Sequence, residues 1–246
     1  MTPGLTALVS TAATLGVLHT AAGPDHYLPF IVLAKARKWS MAKTLAVTAL
    51  CGLGHVGSSI LIGAVGILFG LGVAKLEIFE GVRGSVAAGL FILFGLGYFL
   101  WGLARGLRNR GHHHLHVHTD GTVHGDHSSA EGTDGVRAGH VHAEPKPVNV
   151  TPWILFTIFV FGPCEPLVPL LMFPAAREST GGVVLVAAVF SLATIATMAM
   201  MVLLPAAGLR LLPMRFLERY LHAVAGFTIL ACGLGMAFLG LSSPLF

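Results

Sequence analysis

The chain has 246 residues, of which 54% are hydrophobic and 11% charged, against about 25% charged in an ordinary soluble domain. That balance argues against a soluble enzyme or binding domain and for helices that live in lipid. The formal net charge of +4 is spread over short, separated loops, so no nucleic acid is expected as a partner.

Six apolar stretches follow in chain order, at roughly 5–34, 44–73, 85–104, 152–173, 182–208 and 220–241. Each is near the roughly 20 residues needed to span a bilayer core. The first contains no basic residue before Lys35, so it lacks the charged start of a signal peptide and is expected to stay in the mature protein. It is interrupted at Gly23-Pro24, and the fourth stretch at Gly162-Pro163 and again at Pro166 and Pro169. Proline lacks an N–H and clashes with the preceding turn, so both stretches should be broken helices. The expected organisation is a first three-helix unit at 1–104, a polar segment at 105–151 and a second three-helix unit at 152–246. The class is an all-α polytopic membrane protein.

The distribution of positive charge predicts sidedness. Lys35, Arg37, Lys38 and Lys43 follow stretch one, Arg105 to Lys146 follow stretch three, and Arg210, Arg215 and Arg219 follow stretch five. Only Lys75, Arg83 and Arg177 fall on the other side. Cytoplasmic loops carry the excess of Lys and Arg, which places both termini outside and the polar segment in the cytoplasm.

The halves also match each other. Gly23-Pro24-Asp25-His26-Tyr27-Leu28 aligns with Gly162-Pro163-Cys164-Glu165-Pro166-Leu167 at an offset of 139, and Gly95-Leu96-Gly97 aligns with Gly233-Leu234-Gly235 at 138. His55 then falls opposite Thr194. A repeated unit of three spans must enter the membrane from opposite sides in its two copies. That is the inverted-repeat plan of many secondary transporters, whose broken helices meet near the midplane.

Asp25 and Glu165 are the two acids placed well inside apolar stretches, where a charge is costly and points to function. Unwound backbone beside each Gly-Pro pair can line a wet cavity, and a carboxylate there would offset the positive end of the helix that restarts. His19, His26 and His55 accompany them. Imidazole suits nickel, copper, zinc and iron better than the hard cations that carboxylates alone prefer. Cys164 offers either a soft ligand or a small apolar side chain. The candidate metal ligands are therefore Asp25, His26, His55, His19, Glu165 and Cys164. The polar segment adds His112, His113, His114, His116, His118, His124, His127, His140 and His142, nine of the thirteen histidines. A His-rich tract of irregular spacing reads as a metal buffer or sensor rather than one tight site. Cys51, Cys164 and Cys232 lie in separate stretches without a CxxC pair, so no disulfide framework is expected. There is no Gly-x-Ser-x-Gly and no Walker loop, and enzymatic activity is not expected.

His19, Asp25 and His26, with His55 in the next span, resemble the His/Asp signature of nickel/cobalt transporters. That group includes uptake permeases, efflux proteins with a His-rich loop, and urease-accessory membrane proteins. Five residues, Thr20 to Pro24, separate His19 from Asp25, where that signature commonly has four. The resemblance implies translocation of Ni²⁺ or Co²⁺, with Zn²⁺ a further candidate, across a bacterial inner membrane, with the signature residues as substrate ligands. The metal is then cargo, no resident cofactor is expected, lipid is the surrounding partner, and a homo-oligomer is compatible with this reading. Gly162-Pro163-Cys164 also resembles the Gly-Pro-Cys element of the thiol–disulfide membrane transporters of cytochrome c maturation. Those need a cysteine in each half, and here Asp25 stands at the matching position. Electron transfer through Cys164 is thus the alternative, and a membrane metal-binding protein without transport is the third reading.

Overall fold

The structure is a computed structural model that describes residues 2–108, 116–117, 123–124, 150–177, 180–211 and 220–238. Its helices are α1 (Pro3–Ala22), α2 (Leu28–Ala36), α3 (Met41–Leu68), α4 (Val73–Arg108), α5 (Thr151–Phe161), α6 (Leu167–Arg177), α7 (Thr180–Leu211) and α8 (Leu221–Phe238). A single 3-10 turn, Pro24–His26, joins α1 to α2. Between α4 and α5 two short strands, β1 (His116–Val117) and β2 (Val123–His124), pair antiparallel with His116 opposite His124. The other loop histidines, His112, His113, His114, His118, His127, His140 and His142, lie outside the described residues.

Local chemistry sets the helix ends. Thr2 caps α1 by accepting from the Leu5 N–H at 3.2 Å, with Pro3 in the first turn where its missing N–H costs nothing. Ser40 caps α3 in the same way through the Lys43 N–H at 3.2 Å. Helix α3 closes with Gly70 at φ +62°, which lets the Leu71 N–H reach back to the Gly66 carbonyl at 2.8 Å. That left-handed cap is one only glycine adopts freely.

Among the described residues, five helices are long and apolar enough to cross a membrane: α1, α3, α4, α7 over Thr180–Pro205, and α8. Leu18, Leu53, Leu61, Leu93, Leu192 and Leu204 are each more than half exposed. In water, leaving such a side chain outside forgoes about 1.5–3 kcal/mol; against lipid tails there is no such loss. The chain is a predominantly helical integral membrane protein.

The stretch expected at 85–104 extends further than composition indicated. Helix α4 begins at Val73, so Glu80 and Arg83 lie inside it, fully buried and nearly so. On sequence alone Arg83 falls among the basic residues between spans; the structure places it within α4, buried.

Helices α4 and α8 pack backbone to backbone. Gly95 abuts the Leu230 backbone, Gly102 that of Ala223, Gly226 that of Phe99, and Gly233 that of Ile92. Partners ascend on one helix as they descend on the other, so the two run antiparallel. Glycine is needed at these crossings because a Cβ would fall on the facing main chain. Toward one end, Arg37 Nε donates to Tyr98 Oη at 3.0 Å, and that oxygen lies 2.8 Å from His222 Nδ1. These contacts tie the end of α2 to α4 and α8.

Candidate metal site

Helix α1 ends because Pro24 has no N–H to continue its ladder. The last regular bond runs from the Gly23 N–H to the His19 carbonyl at 3.1 Å, and the 3-10 turn follows with the His26 N–H on the Gly23 carbonyl at 3.0 Å. This turn folds His26 back toward the axis of α1. His26 Nδ1 lies 3.2 Å from the Gly23 carbonyl and 3.4 Å from Asp25 Oδ2. A Cβ at Gly23 would lie 2.5 Å from His26 Nδ1 and 2.9 Å from Asp25 Oδ1, so the fold-back requires glycine there.

The result is a meeting of three imidazoles from three elements. The rings of His19 and His26 are 4.9 Å apart edge to face, those of His26 and His55 are 5.0 Å apart edge to face, and those of His19 and His55 stack at 6.1 Å. One nitrogen from each lies within 4.8 Å of the others. Metal–nitrogen bonds of about 2.0–2.1 Å put ligand atoms roughly 3–4 Å apart, so the trio would have to draw in by about 1 Å around an ion. His26 and His55 are buried, and His26 Nε2 and both nitrogens of His55 have no hydrogen-bond partner among the described residues. Buried polar atoms are nearly always paired; three orphaned nitrogens on two adjoining rings fit a site built for something to bind.

The second break supplies the facing wall. Cys164 Sγ lies 3.9 Å from His19 Nε2, and a Cβ at Gly162 would lie 3.0 Å from His55 Nδ1. Phe159, on the last turn of α5, sets its ring 6.5 Å from His26 and 6.3 Å from His55, closing the pocket with an apolar face. Of the six ligands expected from sequence, the structure brings His19, His26 and His55 together, with Asp25 beside His26 and Cys164 beside His19. Glu165 is half-buried in the turn before α6 and stands outside the trio. Thr194, the repeat partner of His55, is fully buried with an unpartnered hydroxyl, close to Gly16 of α1 rather than among the ring nitrogens.

Sequence reasoning missed three contributors. Phe159 carries no chemical signal of its own. Glu80 and Arg83 form a buried ion pair that reaches the second break. Their signal was available as an acid and a base at i and i+3, a spacing that puts both on one helix face. Comparison with protein-family models, curated proteins and solved structures finds no match to this chain.

Proposed function

We propose that this protein transports a divalent transition-metal ion, Ni²⁺ or Co²⁺, through a site formed by His19, His26 and His55. The observation that carries this reading is the set of buried, unpartnered imidazole nitrogens where the break after α1 meets α3. Neutral imidazole is a borderline donor that suits late divalent transition metals such as nickel and zinc. The Asp25 carboxylate beside His26 Nδ1 is placed to fix that ring's tautomer and orientation, as outer carboxylates do at metal sites. Cys164 faces His19 rather than a second thiol, which favours the metal reading over thiol–disulfide exchange.

Transport, as opposed to binding, draws support from the relation between the halves. Taking 1–104 and 152–246 as two inverted units pairs α1 with α5, α2 with α6, α3 with α7 and α4 with α8. Under that exchange the contact of α1 with α7 corresponds to that of α3 with α5, and α2 with α8 to α4 with α6; all four occur. Gly95 against Leu230 maps onto Gly233 against Ile92, both observed, and α4 and α8 run antiparallel as inverted counterparts must. On this reading one half rocks against the other and exposes the site alternately to the two sides. The termini lie outside, and the His-rich loop 105–151 lies in the cytoplasm, where it buffers the ion.

The test is ion flux into sealed proteoliposomes, comparing wild type with Asp25→Asn and His26→Ala for Ni²⁺, Co²⁺ and Zn²⁺. Flux that both substitutions abolish supports the assignment. Undiminished flux in His26→Ala, or none of any ion from folded wild type, would sink it.

A further inference from the structure

In an unbroken helix the N–H of residue 164 donates to the carbonyl of residue 160. Gly162 leaves the helix with ψ 133°, which separates those two groups. Pro166 has no N–H to offer the Gly162 carbonyl. Among the groups that the second break frees are the Cys164 N–H and the Val160 and Gly162 carbonyls. The structure meets all three from α4. Glu80 Oε2 accepts from the Cys164 N–H at 3.1 Å, and Arg83 Nη2 donates to the Val160 carbonyl at 2.8 Å and to the Gly162 carbonyl at 3.1 Å.

The pair is anchored on its other side by α3. Arg83 Nη1 pairs with Glu80 and donates to Ser59 Oγ at 3.1 Å, and Arg83 Nη2 also donates to Ser58 Oγ at 2.6 Å. Ser58 Oγ in turn donates to the carbonyl of His55 at 2.8 Å. One network thus runs from the backbone of His55 to the main chain that presents Gly162 to the His55 ring and Cys164 to His19. An ion pair is a costly way to fill hydrogen bonds away from water. What the guanidinium adds over a neutral group is a rigid fork that reaches carbonyls and hydroxyls together.

We propose that Glu80 and Arg83 are positioning residues for the histidine site, replacing the missing helical rung and so fixing how far the second break stands from His55 and His19. The inference rests on the metal reading of His19, His26 and His55 and adds residues that touch no ion themselves. The repeat does not carry the fork over to the first break. The 138-residue offset between α4 and α8 pairs Arg83 with Leu221, an apolar side chain, and Glu80 with Glu218, which lies outside the described residues.

The test uses the full chain in detergent with Cys51→Ala and Cys232→Ala, leaving Cys164 as the only thiol. Because Arg83→Gln alone strands a carboxylate and endangers folding, the double variant Glu80→Gln with Arg83→Gln is compared with Arg83→Lys, which keeps the charge without the fork. Two readouts are taken: Co²⁺ affinity with its visible absorption bands, and the rate of maleimide labelling of Cys164. The double variant, at unchanged helical content, should bind Co²⁺ about 10–100-fold more weakly, the range typical of lost supporting contacts. It should also label faster, and Arg83→Lys should resemble it. Gly95→Ala, a remote destabilising change, should leave Co²⁺ affinity alone. Wild-type affinity and labelling in both pair variants would overturn the proposal, as would full rescue by Arg83→Lys. A wild type that binds no Co²⁺ overturns the metal reading instead, while the labelling rates still decide whether the pair holds the break.

Discussion

The two helix breaks look alike in sequence and are held in opposite ways. The first, Gly23-Pro24-Asp25-His26, is stabilised by its own atoms: the Gly23 carbonyl takes the His26 N–H, and Asp25 lies against the His26 ring. The second, Gly162-Pro163-Cys164, is stabilised from outside by Glu80, Arg83 and two serines. The first break carries the donors; the second is a wall whose position another helix sets. A repeated motif thus need not repeat its support. Where a break supplies its own acid and histidine, local geometry suffices. Where it has no histidine, and its acid Glu165 stands outside the trio, the stranded backbone must borrow partners.

This contrast can be broken experimentally, beginning where the effect is largest. His55→Ala and His26→Ala should remove metal binding and flux outright, as measured by Co²⁺ titration and liposome uptake. Their loss should exceed that of any variant at the second break. Next, Arg83→Gln alone should destabilise the protein by about 3–5 kcal/mol, since it leaves Glu80 buried without its partner. The double variant with Glu80→Gln should recover most of that, as read from unfolding in detergent. Gly23→Ala should cost about 1–3 kcal/mol through overpacking and disturb the metal spectrum, because its Cβ would press on His26 Nδ1 at 2.5 Å. Gly162→Ala, with 3.0 Å to His55 Nδ1, should do less; the reverse order would mean that the second break is the stiffer one. Smallest is Gly97→Ala, which meets nothing within 4 Å and should be neutral or stabilise by about 0.5–1 kcal/mol. Its neighbour Gly95→Ala should lower the melting temperature clearly.

Much of this was legible in the chain itself. The Gly-Pro pairs announced both breaks because proline cannot donate, and His19, His26 and His55 stood out as polar residues within apolar runs. The offset near 139 is the basis on which the helices of the two halves are paired in the proposed inverted repeat. What hydropathy hid was the start of α4. Lys75, Glu77, Glu80 and Arg83 lower the apolar average over its first turns, so the segment reads as a charged loop. Averaging discards pairing, and pairing is what lets Glu80 and Arg83 be buried. Phe159 was hidden for the opposite reason, as one apolar residue among many. Glu165 looked equivalent to an intramembrane ligand, but the turn before α6 leaves it half-buried and outside the trio.

The borrowed rung also bears on how this sequence can change over time. A substitution at position 80 alone strands a guanidinium, and one at position 83 alone strands a carboxylate and two carbonyls. The two sites are therefore open to drift only as a couple, or after Gly162 and Pro166 have first given way to residues that restore the helix. Among descendants of this chain, the identities at 80 and 83 should covary with the presence of the second break and be indifferent to the first.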